Sequence, residues 1–262
     1  MRKIIMVSSL GVLAALGLLL GCQRASSGGR ADRFWARALQ EVYKTPEELQ
    51  AQHQREIRKG LVFAKLMHGD PHTRAVALTF DDGPHPQYTT KLLSILQKYH
   101  VKATFFVVGK MAQQYPDLVK AEHAAGHVVG NHTYDHVNLT RVPLDEVSTE
   151  WRKCDDTIKS ILGTQMRFCR PPGGDYDAAV ITAAQDLGLT TVLWTDDPSD
   201  YASPGDTVIE QRVLDRIGNG GIILIHDGVQ QTVDVLPQII STLQKKGFRF
   251  QTVEDMEKAV GG

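Results

Sequence analysis

Residues 75–84 read AVALTFDDGP, an apolar run of β type that ends in two adjacent carboxylates and a Gly-Pro turn. A short apolar run bounded by turn residues is typical of a strand that is buried on both faces. Asp81 and Asp82 stand where this strand stops. Taken alone, such a pair most often ends a strand, because aspartate accepts hydrogen bonds from nearby backbone N–H groups. The surrounding sequence decides whether the two acids do more.

The alternation of strand and helix continues from here to the end of the chain. Further β-type runs occupy residues 103–108, 127–130, 167–169, 190–194, 221–225 and 248–250. Helical patterns fall between them, at residues 88–99, 144–162, 177–187, 207–217 and 232–246. Repeated β–α units form a parallel sheet, so the sequence predicts an α/β fold whose sheet is closed, or nearly closed, into a barrel.

Polar clusters follow five of the predicted strands. The paired aspartates follow the first strand, and the other clusters are residues 131–136 (NHTYDH), 170–174 (RPPGG), 195–201 (TDDPSDY) and 226–228 (HDG). The loops that follow the strands of a parallel barrel meet at one face, where active sites are built. Five such clusters, each after a different strand, therefore predict an active site at that face.

Each cluster is a weak signal by itself. His132 and His136 are four residues apart, so both imidazoles can reach one ion if that stretch is helical. Histidines at this spacing are also common on protein surfaces. The RPPGG segment is equally compatible with a rigid loop, and His226 with a half-buried imidazole whose hydrogen bonds are satisfied. The prediction depends on the clusters occurring together.

Five short segments in a fixed order give a more specific signal. They are TFDDGP (79–84), HTYDH (132–136), RPPGG (170–174), DPSD (197–200) and LIHD (224–227). In this order they resemble the five motifs of the NodB-type polysaccharide deacetylases, carbohydrate esterase family 4. The similarity extends from about residue 75 to about residue 256. It implies the fold of that family, a distorted, incomplete (β/α) barrel, and a hydrolase that removes acetyl groups from polysaccharides.

The resemblance implies a metal site and a general base. Asp82, His132 and His136 match the family's ligands of one divalent metal ion, which is usually zinc. Asp81 matches the general base, and Arg170 matches the arginine that pairs with it. A carboxylate that binds a metal serves poorly as a base, because ligation occupies the lone pairs that a base needs. The resemblance thus assigns a separate task to each of the two adjacent acids.

The remaining motifs imply a general acid and an acetyl pocket. His226 matches the general acid, Asp200 the carboxylate that tunes it, and Leu224 a residue that lines the pocket for the acetyl methyl group. Gly173 holds the position whose backbone N–H helps to bind the oxyanion. The chain departs from the common pattern at Gly173, where the family often has tyrosine, and at Tyr201, where it commonly has tryptophan. Both departures affect the groove walls, so they bear on the substrate more than on the reaction.

The first 22 residues have the pattern of an export signal. Arg2 and Lys3 precede an uncharged apolar run at residues 4–20, and Gly-Cys follows at Cys22. A small residue before a cysteine resembles the lipobox of bacterial lipoproteins, which predicts signal cleavage and lipidation of Cys22. An uncleaved signal anchor is the alternative. In both cases we expect an extracytoplasmic, membrane-anchored protein on the periplasmic or outer cell-surface side.

The sequence predicts four segments. They are a lipoprotein signal peptide at 1–21, a flexible tether at 22–30, a helical segment at 31–72 and a deacetylase catalytic domain at 73–262. The tether is rich in Ser, Gly and Arg. The helical segment has an apolar face that includes Phe34 and Trp35, and a helix start at residues 45–48. We expect two helices that pack against the main body.

Composition and cysteine content limit the class of protein further. The chain has 262 residues, 42% of them hydrophobic, and a formal net charge of −1. This is enough apolar material for a sizeable core, and no basic surplus indicates nucleic acid as a partner. Besides Cys22 the chain contains Cys154 and Cys169, which we expect to form a disulfide in an oxidising compartment. Two buried thiols are the alternative.

We therefore expect a metal-dependent hydrolase that removes N-acetyl groups from an extracytoplasmic amino-sugar polysaccharide. A membrane tether beside the cell wall favours peptidoglycan over chitin-like oligomers and poly-N-acetylglucosamine. Three alternatives stay open: an O-acetyl esterase acting on acetylated xylan, a glycosidase, and an inactive glycan-binding lipoprotein. The glycosidase is disfavoured because it needs carboxylates on both sides of the scissile bond, whereas Asp81 and Asp82 are adjacent.

Overall fold

The computed structural model describes residues 28–38 and 42–260. The predicted signal peptide, Cys22 and most of the predicted tether lie outside these residues, so the lipid anchor stays a prediction. The last three tether residues, 28–30, belong to a helix instead of a flexible linker, because they continue a helix that packs on the barrel. None of the described helices has both the length and the hydrophobicity that a membrane span requires.

A sheet of eight parallel strands forms the centre of the molecule. The strands are β1 (Lys65–Leu66), β2 (Ala75–Gly83), β3 (Thr104–Val107), β4 (Val128–Asn131), β5 (Phe168–Cys169), β6 (Thr190–Val192), β7 (Gly221–His226) and β8 (Arg249–Phe250). Seven of them follow the order β1-β6-β5-β4-β3-β2-β7, and β8 pairs with the start of β2. The prediction of a distorted, incomplete (β/α) barrel is confirmed.

Helices surround the sheet and connect its strands. They are α1 (Gly28–Ala38), α2 (Pro46–Arg58), α3 (Thr89–Lys98), α4 (Gly109–Gln114), α5 (Pro116–Ala124), α6 (Leu144–Leu162), α7 (Ala178–Gln185), α8 (Asp206–Arg216), α9 (Gln230–Lys245) and α10 (Val253–Val260). The sequence did not predict α4, α5 and α10, of six, nine and eight residues, or the two-residue β1. The six residues of α4 make fewer than two helical turns, too few to give a clear period.

The pairing of β2 with β7 places the strand-end residues side by side. All nine residues of β2 and all six of β7 are buried, as expected for parallel strands covered on both faces. Asp81 lies opposite His226 in the parallel register, and Thr79 lies opposite Leu224. The polar residues that end these two strands therefore enter the same region.

A strand-type bridge closes the described barrel at one end, and a single hydrogen bond spans the gap at the other. Beyond β6, Asp196 forms a parallel bridge with Ile223, and the Leu224 N–H donates to the Asp196 carbonyl at 2.9 Å. At the opposite end the short β1 lies beside β6, and a bond of 2.8 Å from the Gly69 N–H to the Gly220 carbonyl reaches the residue before β7. The closed end is the one that carries the polar clusters.

The segment before the barrel is part of the folded body. A capping box starts α2: the Thr45 hydroxyl accepts from the Glu48 N–H, and the Glu48 carboxylate accepts from the Thr45 N–H. Leu49 is fully buried, and the Gln52 amide donates to the Tyr176 carbonyl at 3.0 Å. These contacts hold α2 beside the loop that follows β5.

Cys154 and Cys169 are free buried thiols, so the predicted disulfide is wrong. The Cys154 Sγ on α6 lies 3.6 Å from the Val107 carbonyl, whereas the Cys169 Sγ in β5 lies 3.6 Å from the Thr191 hydroxyl. Helix and strand thus present the two sulfurs to different neighbours. Burial raises the pKa of both thiols, so they remain protonated and pack as small core residues.

Candidate active site

The two adjacent aspartates at the end of β2 face different partners. Asp81 Oδ1 accepts a hydrogen bond from Arg170 Nη1 at 2.8 Å, and Asp82 Oδ1 lies 2.9 Å from His136 Nε2. The backbone of Asp82 has a φ of 71°, in the left-handed region. This unusual conformation interrupts the alternation of the strand and lets neighbouring side chains enter one site from different directions.

Asp82, His132 and His136 form a buried cluster that could hold a metal ion. Each side chain offers one ligand atom, and these atoms lie within 4.8 Å of one another. The stretch that carries the histidines is not helical, contrary to the simplest interpretation of their spacing. Thr133 and His136 have positive φ values of 64° and 56°, so a tight turn brings the two rings together. Their ring centroids are 4.9 Å apart.

Neighbouring groups prepare this cluster for a ligand. The Nδ1 of His132 lies 2.7 Å from the Arg170 carbonyl, so Nδ1–H donates there and Nε2 is left to face the cluster. His132 Nε2 is buried and makes no hydrogen bond to the described residues. Burial would raise the pKa of Asp82, but the imidazoles of His136 and His132 hold it well below its usual value. Two imidazoles and one carboxylate fit the ligand set of a catalytic divalent metal ion.

Arg170 holds Asp81 in a second, fully buried arrangement. The guanidinium donates from Nε to the Val192 carbonyl at 3.1 Å and from Nη1 to the Thr79 hydroxyl at 2.8 Å, as well as to Asp81. These bonds fix the cation against one carboxylate oxygen. The other oxygen, Asp81 Oδ2, lies 3.6 Å from His132 Nε2 and has no hydrogen-bond partner in the described part of the chain. Asp81 therefore connects the arginine to the edge of the cluster.

His226, at the end of β7, forms a buried pair with Asp200. The Nδ1 of His226 lies 2.7 Å from Asp200 Oδ1, and the same carboxylate accepts from the His226 N–H at 2.8 Å and from the Thr232 hydroxyl. Burial opposes a charged imidazole, but the charge of Asp200 and its hydrogen bond outweigh this effect and raise the pKa of His226 to about 10. The ring is therefore protonated at neutral pH.

Leu224 and Gly173 complete the set of predicted site residues. Leu224 precedes His226 by two residues in β7, so both side chains lie on the same face of the strand. Gly173 lies in the 3₁₀ turn Pro172–Gly174 with a φ of 63°, and its carbonyl accepts from the Lys44 N–H at 2.9 Å. The structure thus brings every predicted site residue of the barrel to its closed end.

Three aromatic side chains from before the barrel also reach this end, at a position that the sequence did not predict. Phe34 packs edge-on against His136 with ring centroids 5.7 Å apart, and Trp35 Nε1 donates to the Asp82 carbonyl at 3.2 Å. Tyr43 packs edge-on against His226 with centroids 5.0 Å apart. The apolar face of this segment indicated burial, but a pattern in one helix does not show which surface will cover it.

Fold and site together define a class of protein: an enzyme built on a parallel α/β barrel, with an Asp-His-His cluster between two buried ion pairs at the ends of its strands. A sequence profile described as polysaccharide deacetylase matches residues 68–192. The chain belongs to this family, the NodB-type deacetylases of carbohydrate esterase family 4, and is a polysaccharide deacetylase.

Several named relatives align with most of the barrel sequence. A peptidoglycan-N-acetylglucosamine deacetylase of Bacillus cereus is 37% identical over 188 residues, covering 70% of this chain and 88% of that protein. A chitooligosaccharide deacetylase of Bradyrhizobium sp. is 36% identical over 199 residues, covering 70% and 91%. The crystal structure of a peptidoglycan N-acetylglucosamine deacetylase superimposes with a TM-score of 0.73 at 36% identity, covering 77% of this chain and 94% of the other.

A family member without activity is also similar in structure. A pseudoenzyme of carbohydrate esterase family 4 from Bacillus anthracis superimposes with a TM-score of 0.72 at 30% identity, covering 76% of this chain and 70% of that one. The fold alone therefore does not ensure catalysis, and the residues of the site carry the functional argument.

Proposed function

We propose that this chain removes N-acetyl groups from an amino-sugar polysaccharide outside the cytoplasm, with peptidoglycan as the favoured substrate. The names of the Bacillus cereus and Bradyrhizobium relatives support an acetylated amino-sugar polymer. One observation carries the proposal. Two buried ion pairs, Asp81–Arg170 and His226–Asp200, flank the Asp-His-His cluster and present to it a carboxylate bound by a guanidinium and an imidazole bound by a carboxylate.

Asp81 is the proposed general base. Its Oδ1 is bound by the fixed guanidinium of Arg170, and its Oδ2 faces the cluster near His132. A carboxylate held in this way keeps one oxygen directed at the place where water would attack. Asp82 is less suited to the task, because its Oδ1 is directed at the histidines of the cluster.

His226 is the proposed general acid. When the C–N bond of the acetamide breaks, the departing nitrogen must gain a proton, which the protonated imidazole can deliver from Nε2. Asp200 holds Nδ1–H throughout and stabilises the charged ring before transfer. The proton taken from water by Asp81 and the proton given by His226 balance the hydrolysis, whose products are acetate and a free amino sugar.

The remaining roles concern charge and fit at the acetyl group. Asp82, His132 and His136 would hold one divalent metal ion, which we propose to be zinc. When bound, this ion supplies Lewis-acid activation of the acetyl carbonyl and of water. The Gly173 N–H is proposed to stabilise the oxyanion as it forms, and Leu224 to contact the acetyl methyl group.

The cellular location is proposed from the sequence. The apolar run at residues 4–20 and the Gly-Cys pair that ends at Cys22 support export and lipidation. A diacyl anchor on Cys22 would attach the enzyme stably to a membrane, because two acyl chains bind where one binds only weakly. An enzyme anchored on the outer side of a membrane lies next to the wall polymer, and this favours peptidoglycan.

Release of acetate distinguishes the proposal from its alternatives. The full-length protein is incubated with acetylated peptidoglycan, chitin oligomers and acetyl-xylan, with and without a chelator. We expect acetate from peptidoglycan first, its loss with the chelator, and recovery with zinc. Acetate from xylan alone would establish an O-acetyl esterase, and reducing ends without acetate a glycosidase. Binding without either product would establish an inactive glycan-binding protein.

A further inference from the structure

Tyr43 lies against the acid side of the active site although it precedes the first strand. The side chain is 7% exposed, and its ring packs on Tyr201 with centroids 4.4 Å apart. The same ring meets His226 edge-on at 5.0 Å, and the ring of Trp194 lies 6.3 Å away. A residue from outside the five motifs therefore contacts the proposed general acid.

The next residue along the chain anchors Tyr43 in this place. The Lys44 N–H donates to the Gly173 carbonyl at 2.9 Å, and Lys44 Nζ lies 3.0 Å from Asp175 Oδ1. Directly afterwards α2 begins with its capping box. These bonds fix the backbone next to Tyr43 against the RPPGG loop.

The contact with Tyr43 restrains a movement of the His226 imidazole that the hydrogen bond to Asp200 does not prevent. The bond from His226 Nδ1 to Asp200 fixes one edge of the ring but leaves the ring able to tilt about that bond. Tyr43 and Tyr201 meet the ring at interplanar angles of 71° and 82°, the edge-to-face geometry that aromatic rings prefer. Both contacts oppose such a tilt.

We propose that Tyr43 is a positioning residue for the general acid, since its ring fixes the His226 imidazole and shields its bond to Asp200. The inference rests on the general-acid role in the proposed function. The match to the family profile begins at residue 68, so the N-terminal segment supplies a part of the active site that lies outside the matched region.

Three variants of the full-length protein test this role: Tyr43→Ala, Tyr43→Phe and a matched control, Val42→Ala, whose side chain is 88% exposed. We expect Tyr43→Ala to lower kcat on an N-acetylated oligosaccharide roughly 10- to 100-fold with little change in KM, because a misplaced acid slows proton transfer without weakening binding. An activated acetate ester, whose leaving group needs no proton, should be hydrolysed at nearly the wild-type rate. Tyr43→Phe keeps the ring and should restore amide turnover, and Val42→Ala should match the wild type.

The downfield NMR resonance of the His226 Nδ1 proton adds a readout that needs no substrate. We expect it in the wild type and in Tyr43→Phe, and we expect exchange with water to broaden it in Tyr43→Ala. Equal losses on amide and ester, an effect on KM alone, or an unchanged resonance in Tyr43→Ala would overturn the positioning role. If the wild type releases acetate from no amide, the proposed function fails, and the resonance still decides whether Tyr43 orders the ring.

Helix α1 supports a second, independent inference on the metal side of the site. The helix belongs to a small apolar cluster separate from the main core, formed by Phe34, Trp35, Ala38, Val108 and Met111. Phe34 packs on the ring of His136, and the ring of Trp35 lies 4.0 Å from that of His85. The helix therefore lies directly over the Asp-His-His cluster.

With α1 in this position the atoms of the Asp-His-His cluster are closed to solvent. Asp82 Oδ1, His132 Nε2 and His136 Nε2 each expose less than 1 Å². A sugar ring needs far more room than a water molecule, so a polysaccharide cannot reach these atoms in this arrangement. We infer that α1 is an intramolecular cover that must leave the site before a polymer binds, an inference that rests on the polymeric substrate of the proposed function.

The double variant Phe34→Ala/Trp35→Ala tests the cover, with Arg33→Ala on an exposed position of the same helix as the control. We expect a severalfold rise in kcat/KM on peptidoglycan and a faster loss of bound zinc to a chelator, while the control matches the wild type. A fall in kcat/KM would make α1 part of the substrate site and overturn the inference, as would unchanged zinc loss. Zinc loss needs no substrate, so it tests the cover even if deacetylation fails.

Discussion

The two sides of the active site use the same residue types in different ways. On the ligand side, Asp82 Oδ1 lies 2.9 Å from His136 Nε2 and 3.4 Å from His132 Nε2, so three ligand atoms converge on one point. On the proton side, Asp81 is bound by Arg170 at 2.8 Å, and His226 is bound by a carboxylate at 2.7 Å. The ligand atoms face one another, whereas the acid and the base each have a partner of opposite charge.

The difference shows that pairing, more than residue type, decides what each group can do here. Asp81 and Asp82 are neighbours in sequence, yet only one of them has a buried cation beside it. His132 follows β4 and His226 ends β7, but Nδ1 of the first faces a backbone carbonyl and that of the second faces a carboxylate. A neutral partner leaves a histidine ready to ligate, and an anionic partner keeps it protonated.

The largest expected effect concerns the ligand side. His132→Ala should abolish stoichiometric metal binding and lower turnover by roughly 10⁴-fold or more, because several kcal/mol of charge stabilisation are lost. His123→Ala, at an exposed position on α5, is the matched control and should keep both. Metal analysis and acetate-release kinetics check the result. A His132→Ala protein that keeps its metal and its activity would show that His132 is not a metal ligand.

The adjacent acids provide a matched pair of substitutions. Asp81→Asn should keep the metal and lose roughly 10²- to 10⁴-fold in turnover, about 3–5 kcal/mol of barrier, because the base is lost. Asp82→Asn should weaken metal affinity, and excess metal should recover part of the activity. The same two measurements decide the assignment. Loss of metal in Asp81→Asn with retention in Asp82→Asn would exchange the two roles.

On the proton side, His226→Ala should retain metal and lose roughly 10²- to 10³-fold in turnover on an amide, within the range for a lost general acid. An activated ester should lose much less, since its leaving group departs without a proton. Parallel assays on an N-acetylated oligosaccharide and on the ester measure this ratio. Equal losses on the amide and on the ester would show that His226 is not the general acid.

The smallest expected effect is a shift in pH dependence. A general acid works while it is protonated, so activity should persist below the pKa of His226, which Asp200 helps to raise to about 10, and fall as pH rises through it. Asp200→Asn removes the carboxylate charge, and burial then lowers the pKa of the imidazole. The alkaline limb of the kcat profile should therefore move to lower pH. An unchanged pH profile in Asp200→Asn would show that Asp200 does not raise the pKa of the general acid.

Much of the fold and the site could be predicted from the sequence because both depend on strands. Seven of the eight strands were predicted, since buried parallel strands are continuous apolar runs, such as that of β2. Residues that follow such strands must meet at one end of a barrel, and so Asp82, His132 and His226 could be placed together from positions far apart in sequence.

The parts that could not be predicted depend on tertiary packing. The histidine pair meets through a turn with left-handed residues, and its spacing alone suggested a helix. The predicted export of the chain favoured a disulfide, but Cys154 and Cys169 contact different neighbours. Phe34 and Trp35 belong to an apolar pattern that predicts burial only, and nothing in the pattern distinguishes the flank of a barrel from its active site. Tyr43 was not part of that pattern.

Heat should loosen this barrel from the end remote from the chemistry. At that end the gap in the described barrel is spanned only by the two-residue β1 and the bond from Gly69 to Gly220. At the end that carries the polar clusters, the Leu224 N–H is bound to the Asp196 carbonyl within a buried strand. Amide hydrogen exchange should therefore be fast at Gly69 and slow at Leu224, through local opening that precedes global unfolding. The end of the barrel away from the polar clusters can therefore open locally while the catalytic groups keep their spacing.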